Sequence, residues 1–144
     1  MRTLYTLLGP LAVALSCAGP LSAQADSTLI VSLLDVPDDQ GYVLVALYDD
    51  PAHWNKPELA KYVRRAPASA GRLDVDFAHL APGRYAVAAL HDRDTSGTMT
   101  TGWFGIPKEA YGFGNDARGT FGAPPYEECV VEFDGRGRTQ IALK

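Results

Sequence analysis

The chain has 144 residues, of which 47% are hydrophobic and 21% are charged, and its formal net charge is −4 at pH 7. Nucleic-acid binding depends on basic side chains that neutralise phosphates, and an anionic membrane surface attracts the same side chains, so the acidic balance argues against both partners. The length suits one domain of ordinary size, which can bury a core without disulfides.

The first 25 residues have the pattern of a secretory signal peptide. Arg2 precedes an apolar run over residues 4–18, and Ala23 and Ala25 place small residues at the positions that a signal peptidase inspects. Cleavage after residue 25 would leave one mature domain, residues 26–144, with a net charge of −5. Because the apolar run is shorter than the ~20 residues of a spanning helix, we predict a periplasmic or secreted protein without a transmembrane segment.

The mature chain begins with two apolar stretches separated by a turn. Residues 27–36 (STLIVSLLDV) and 41–48 (GYVLVALY) flank the sequence Pro-Asp-Asp-Gln, and we predict that they form an antiparallel hairpin. Residues 57–65 begin with proline and contain good helix formers, which predicts a short helix. Its inner face would hold Leu59, Tyr62 and Val63.

Further strand signals follow along the chain. Residues 71–77 (GRLDVDF) alternate apolar and polar side chains, which predicts a strand with one buried face. The Pro82–Gly83 pair predicts a type II turn that leads into another strand. Residues 129–133 and 139–143 flank a glycine-containing turn and are predicted to close the domain as a second hairpin. Cys129 would be the lone cysteine of the mature domain, and its apolar strand predicts a buried thiol.

The segment 91–128, from His91 to Glu128, is the most unusual stretch of the chain. It holds seven of the fourteen glycines and six of the fourteen aromatic residues, but no apolar run long enough for a core strand or helix. A connection of this length is usually functional, packed on its own side chains or disordered, and the aromatic content argues against disorder. We therefore predict a long ordered loop that forms the ligand or partner surface.

These patterns together predict the fold class. About seven short strands, one short helical insertion and no alternation of strands with helices predict an all-β fold. Its architecture would be an antiparallel β-sandwich of immunoglobulin or transthyretin-like type that carries the long ordered loop.

The start of the loop has the spacing of half a calcium-binding loop. Asp92, Asp94 and Ser96 stand at the first, third and fifth positions, and Gly97 stands at the sixth. Trp103 occupies the position where an EF-hand has a bidentate glutamate. Further ligands would have to come from Glu109, Asp116 or water. The alternative is a turn in which these side chains bond their own backbone.

The aromatic side chains of the loop have two interpretations. They could form a stacking platform for sugar rings or a hydrophobic partner, or a satellite core that pins the loop to the sheets. The residues are Trp103, Phe104, Tyr111, Phe113, Phe121 and Tyr126.

His91 also has two interpretations. Next to Asp92 it could act as a general base, because imidazole titrates near neutrality. The alternative is a histidine at a strand end that bonds loop backbone. The sequence has no nucleophile elbow, zinc-protease, Cys-x-x-Cys or phosphate-loop motif to accompany it.

Several short motifs resemble a bacterial family. They are LAPGRY at 80–85, HD at 91–92, GIP at 105–107, YGF at 111–113, Asn115, and GTFG at 119–122. In this order they resemble the exported family called domain of unknown function 2141 (DUF2141), over essentially the whole mature chain. The resemblance implies a β-sandwich and implies no activity. Thr100 stands where such proteins often carry an acidic residue, which weakens an inference of cation binding.

We therefore expect an exported, non-catalytic binding or envelope-associated module, whose partner would be a glycan, an envelope component or a protein. The candidate ligand-binding residues are His91, Asp92, Trp103, Phe104, Tyr111, Phe113 and Asn115. The candidate ligands of a calcium ion, the one cofactor considered, are Asp92, Asp94 and Ser96. The alternative function is a small periplasmic hydrolase-like enzyme centred on His91 and Asp92.

Overall fold

The computed structural model describes residues 27–102 and 106–144, so the predicted signal peptide lies outside the described residues. The strands are β1 (Thr28–Val36), β2 (Tyr42–Tyr48), β3 (Tyr62–Pro67), β4 (Gly71–Ala78), β5 (Gly83–Asp92), β6 (Tyr111–Phe113), β7 (Val130–Phe133) and β8 (Arg136–Ala142). Short 3-10 turns occur at Pro51–His53, Pro57–Leu59, Gly114–Asp116 and Tyr126–Cys129. No helix in this part of the chain has the length and hydropathy needed to cross a bilayer.

The eight strands form two sheets. In the three-stranded sheet, β1 lies between β4, which is antiparallel to it, and β8, which is parallel to it. In the five-stranded sheet, β2 and β5 are neighbours in the middle, and β3 pairs with the outer side of β2. β6 and β7 pair with successive parts of the outer side of β5, and every pairing in this sheet is antiparallel. The prediction of an all-β fold rich in antiparallel pairs is confirmed.

One hydrophobic core serves both sheets. Alternate residues of each strand point to the same face, so that one face of every central strand can be apolar throughout. The core contains residues 29, 31 and 33 of β1, residues 43, 45 and 47 of β2, and residues 85, 87 and 89 of β5. Phe77 of β4, Phe133 of β7 and Ile141 of β8 complete it from the remaining strands.

The predicted strand at residues 71–77 is confirmed. Val75 and Phe77 are 5% and 1% exposed, whereas Arg72, Asp74 and Asp76 on the opposite face are exposed. The alternation of the sequence therefore reports the burial of β4 directly, because one face meets the core and the other meets water.

Both predicted hairpins are wrong. β1 and β2 are consecutive along the chain but lie in different sheets, and the same holds for β7 and β8. The turn residues correctly indicate where the chain changes direction. They do not specify the pairing partner, because a strand with an apolar face can bury it equally well in either sheet around a shared core.

The predicted helix at residues 57–65 is also wrong. Pro57–Leu59 forms a single 3-10 turn, and Tyr62–Pro67 is the edge strand β3. Leu59 and Val63, which were expected on an inner helical face, are 42% and 49% exposed. Pairing of residues 62–67 with residues 42–47 of β2 outweighs a helix propensity that is only a weak preference in a short segment.

The turn before β5 differs from the predicted type II turn. Gly83 does not have the positive φ that this turn requires, and the left-handed residue of the connection is His79, with φ of 58°. The hydroxyl of Tyr85 donates a hydrogen bond to the backbone carbonyl of Ala81 at 2.7 Å. This bond, a tyrosine corner, fastens the turn to the start of β5.

Candidate functional site

The end of β5 places two polar side chains at the start of segment 91–128, and both are 0% exposed. Successive residues of a strand point to opposite faces of the sheet. His91 therefore shares the core face with Val87 and Ala89, whereas Asp92 shares the outer face with Ala88 and Leu90.

His91 bonds loop backbone from within the protein. Its Nε2 lies 2.7 Å from the backbone carbonyl of Gln40 and 3.7 Å from a carboxylate oxygen of Asp38. A carbonyl can only accept, so Nε2 carries the proton and donates it. Nδ1 has no hydrogen-bond partner among the described residues. Because a general base must come within hydrogen-bonding distance of its substrate, this burial disfavours a catalytic role for His91.

Asp92 and Asp94 hold the turn that follows β5. The two oxygens of Asp92 accept hydrogen bonds from the backbone N–H groups of Ser96 (3.0 Å) and Gly97 (2.9 Å). Asp94 accepts from the same Ser96 N–H at 3.0 Å and from the Thr100 hydroxyl at 2.7 Å. The Thr100 bond, followed by the bonds from Ser96, lowers the pKa of Asp94 to about 2.

Glu109 joins the same turn from a distance in sequence. Its side chain is largely buried, and it accepts hydrogen bonds from the backbone N–H groups of Arg93 (3.0 Å) and Thr100 (2.9 Å). The carboxylate thus ties both ends of the turn to residue 109. The sequence had named Glu109 only as a possible extra metal ligand, and no local pattern reveals that it closes this turn.

These three carboxylates are also the residues that could hold a cation. One oxygen from each of Asp92, Asp94 and Glu109 lies within 4.8 Å of the others, and such hard oxygen donors suit calcium. The hydroxyl of Ser96, the third predicted ligand, donates to the backbone carbonyl of Thr98 at 2.9 Å. Each carboxylate accepts N–H or hydroxyl groups of the chain, so the interpretation as a hydrogen-bonded turn accounts for the geometry. Calcium binding stays a hypothesis, and the hydrogen-bonded turn is the interpretation that we favour.

Several aromatic residues of segment 91–128 form a satellite core on the outer face of the five-stranded sheet. This second buried cluster includes Tyr48, Phe113, Tyr126 and Cys129. At its centre is Trp54, whose ring makes edge contacts with Tyr48, Phe113 and Tyr126 at centroid distances of 5.2, 5.8 and 6.1 Å. The indole Nε1 donates to the backbone carbonyl of Pro124 at 2.7 Å. Sequence reasoning missed Trp54 because it lies in a short connection without periodicity.

The other candidates from this segment have different environments. The Asn115 side chain donates to the backbone carbonyls of Glu128 (3.1 Å) and Val130 (2.8 Å), so it ties the loop to the start of β7. Phe121 is fully exposed at 101% of its reference area. Trp103 and Phe104 lie outside the described residues.

Cys129 is a buried free thiol, as predicted. Its side chain is 0% exposed, and burial raises the pKa of the thiol to about 12. A nucleophilic cysteine needs an accessible thiolate, so Cys129 acts as a small hydrophobic residue of the satellite core.

The part of the outer face that borders the satellite core forms an apolar groove. Strand register places Val63, Ala46, Ala88 and Phe113 in one row across β3, β2, β5 and β6. The next row contains Arg65, Leu44, Leu90 and Tyr111. Two adjacent alanines between larger neighbours leave a trough, because their methyl groups barely rise above the sheet.

We call this depression, formed by the two rows together with residues 97–99, Tyr48, Asn55 and Pro57, the sheet groove. Its volume is about 460 Å³, and Leu44, Ala46, Ala88 and Leu90 form its half-buried floor. Small-molecule sites have volumes of about 300–1,000 Å³ and mostly apolar linings. Segment 91–128 provides one wall, through Tyr111 and Phe113, whereas the floor comes from strands that the sequence analysis treated as scaffold.

Comparison with known proteins adds one identification. The family model described as "Uncharacterized protein conserved in bacteria (DUF2141)" matches residues 31–142, and the chain belongs to this family. No curated protein matches the chain. No solved structure matches it either.

Proposed function

We propose that this family member is an exported, non-catalytic binding module and that the sheet groove is its ligand site. The observation that carries the proposal is an apolar trough on the outward face of a sheet. Strands with one face in water normally carry polar side chains on that face, whereas the outer face of β2 carries Leu44 and Ala46 and that of residues 86–90 of β5 is apolar throughout. An uncovered apolar surface of this kind is typical of a site that a ligand or partner covers.

The outer face of the five-stranded sheet has a fully buried part and a half-buried part, and this difference supports the same proposal. At one end of the groove, Tyr48 and the neighbouring Ala86 belong to the satellite core and are 2% and 0% exposed. One row further along the strands, Ala46 and Ala88 only border the satellite core and are half-buried, and Val63 at the edge of this row is 49% exposed. The chain thus supplies its own aromatic cover for one part of the face and leaves a rigid sheet floor in the adjacent part. A preformed floor lowers the ordering cost of binding.

Export is part of the proposal. The signal-peptide pattern of residues 1–25 supports a periplasmic or secreted location, where a glycan, an envelope component or a protein-borne group would present the ligand. We also propose that the two sheets pack as a sandwich of immunoglobulin or transthyretin-like type. The shared core and the tyrosine corner at Tyr85 support this assignment.

The hydrolase alternative has less support. His91 is fully buried, and it lines neither the sheet groove nor the second depression near Arg93 and Lys108. No observation on the described residues favours this alternative.

A neutral aromatic amide, 2-naphthamide, tests the proposed site on the purified mature protein. We expect it to shift the amide resonances of residues 44–46, 88–90 and 111–113 in a two-dimensional NMR spectrum. Ala88→Phe would fill the trough and abolish these shifts. Ala78→Phe is the matched control, since Ala78 is an exposed strand alanine of the other sheet, and it should bind as the wild type does. Shifts that persist in Ala88→Phe, or that map to another surface, would disprove the assignment of the site.

A further inference from the structure

Arg65 is an unpaired cation at one end of the sheet groove. It lines the groove from the edge strand β3, and its backbone pairs with Leu44. Four of the eight described arginines, Arg72, Arg84, Arg93 and Arg138, each form an ion pair with a carboxylate. Arg65 forms no ion pair within residues 27–102 and 106–144, so its charge is available to a ligand.

The Arg65 guanidinium is held in place by an aromatic ring. Its central carbon lies 3.6 Å from the centroid of the Tyr42 ring, a cation–π contact. A guanidinium stacked on a ring keeps its N–H groups directed outward from its edge, in the planar arrangement that matches a carboxylate. Less conformational freedom is then lost when an anion binds.

The two ends of the groove differ in charge. The opposite end is formed by Tyr48 and Pro57, and burial together with the nearby Glu58 carboxylate raises the pKa of Tyr48. Successive outward residues of a strand are separated by about 7 Å, so the backbone of Arg65 lies one row from the alanine trough, and its guanidinium lies over Tyr42, in the row beyond. An anionic group would therefore be attracted to the Arg65 end of a ligand whose apolar part extends over Leu44 and Leu90 toward the alanine trough.

We infer that the sheet groove selects ligands with a flat apolar body and a carboxylate, and that Arg65 is the residue that recognises the carboxylate. This inference rests on the proposed function, because it specifies the chemistry of the same site. The body packs on the groove floor, over Leu44 and Leu90 and toward the alanine trough, and the carboxylate accepts hydrogen bonds from the Arg65 guanidinium. Because Arg65 is exposed, an ion pair at this rim gives a preference of about five-fold.

A matched pair of probes tests this preference. 2-Naphthoate and 2-naphthamide have the same ring system and differ in charge, and their dissociation constants can be measured by NMR titration at low salt. We expect naphthoate to bind about five-fold more tightly, with a preference that shrinks as sodium chloride screens the charge. Arg65→Gln should weaken naphthoate about five-fold and leave naphthamide unchanged. Arg64→Gln is the control, because the Arg64 guanidinium lies over the Phe77 ring, away from the groove.

The outcomes of these titrations distinguish the role of Arg65 from the assignment of the sheet groove as the ligand site. Equal affinities of the two probes for the wild type, or an anion preference that persists in Arg65→Gln, would overturn the role of Arg65 while naphthamide binding still supports the groove. Loss of the preference in Arg64→Gln would also overturn it, since the effect would then follow from net charge. If neither probe shifts the groove resonances, the inference and the proposed function fail together.

Discussion

Trp54 should be the residue on which the attachment of segment 91–128 to the five-stranded sheet depends most. Replacement by alanine removes three edge contacts with Tyr48, Phe113 and Tyr126, each worth about 1 kcal/mol in aromatic pairs. It also removes the hydrogen bond to the Pro124 carbonyl, worth about 1 kcal/mol. Trp54 is partly exposed, so we expect Trp54→Ala to lower the free energy of unfolding by about 3 kcal/mol, at the lower end of the range for such truncations.

Urea unfolding followed by far-ultraviolet circular dichroism measures this loss directly. Trp54→Phe is the matched variant, since it keeps an aromatic ring for the contacts but removes the indole N–H together with the five-membered part of the bicycle. It should lose about 1 kcal/mol, mainly through the unsatisfied Pro124 carbonyl. A loss below about 1 kcal/mol in Trp54→Ala, or equal losses in the two variants, would refute the view that ring contacts hold the loop.

Three further outcomes follow from the described contacts. Calcium at millimolar concentration should leave the thermal unfolding midpoint of the protein the same as in chelator. Asp92→Ala should lower the free energy of unfolding by about 1 kcal/mol, because the hydrogen bonds from two backbone N–H groups are lost. A calcium-dependent rise of the midpoint that vanishes in Asp94→Ala would contradict this prediction. Cys129→Ser should fold with a loss of about 1–2 kcal/mol from a poorly satisfied hydroxyl, and a disulfide-linked dimer on a non-reducing gel would contradict the buried thiol. Hydrogen bonds to Asp94 lower its pKa from 3.8 to about 2. They therefore stabilise the folded protein above pH 4, and this stabilisation disappears as the pH falls toward 2. Acid unfolding curves of Asp94→Asn should lack this part of the pH dependence.

The strands themselves could be predicted because burial leaves a local pattern. In β4, residues 73, 75 and 77 face the core and residues 72, 74 and 76 face water, so a period of two is visible in the letters. β5 was predicted instead from the Pro82–Gly83 turn residues that precede it, since its apolar residues do not alternate with polar ones. The sequence also indicated the turn at Asp92, since aspartate and serine bond nearby backbone groups over a few residues.

Pairing could not be predicted in the same way. The carbonyl that orients His91 belongs to Gln40, 51 residues earlier, and the carbonyl that orients the Trp54 indole belongs to Pro124, 70 residues later. Such partners are brought together by the assembled sheets, and a single sequence contains no local signal of them. The predicted hairpins failed for the same reason, because each turn signal was compatible with two sheets.

The sequence contains part of the information needed to predict the sheet groove. Ala86, Ala88 and Leu90 make the outward face of β5 apolar, which is unusual for a strand whose other face is already in the core. That observation alone indicates a covered face. The register between β2 and β5 decides which part of this face Trp54 covers and which part is open to a ligand, and it places Ala46 beside Ala88.

Intermolecular nuclear Overhauser effects between bound 2-naphthoate and methyl-labelled protein locate the ligand most directly. We expect contacts from the naphthalene protons to the methyl groups of Ala46, Ala88, Leu44 and Leu90, the four residues of the groove floor. Contacts to the methyl groups of Ile106, which is 63% exposed, would show instead that the ligand binds the exposed part of segment 91–128 and would contradict binding in the sheet groove.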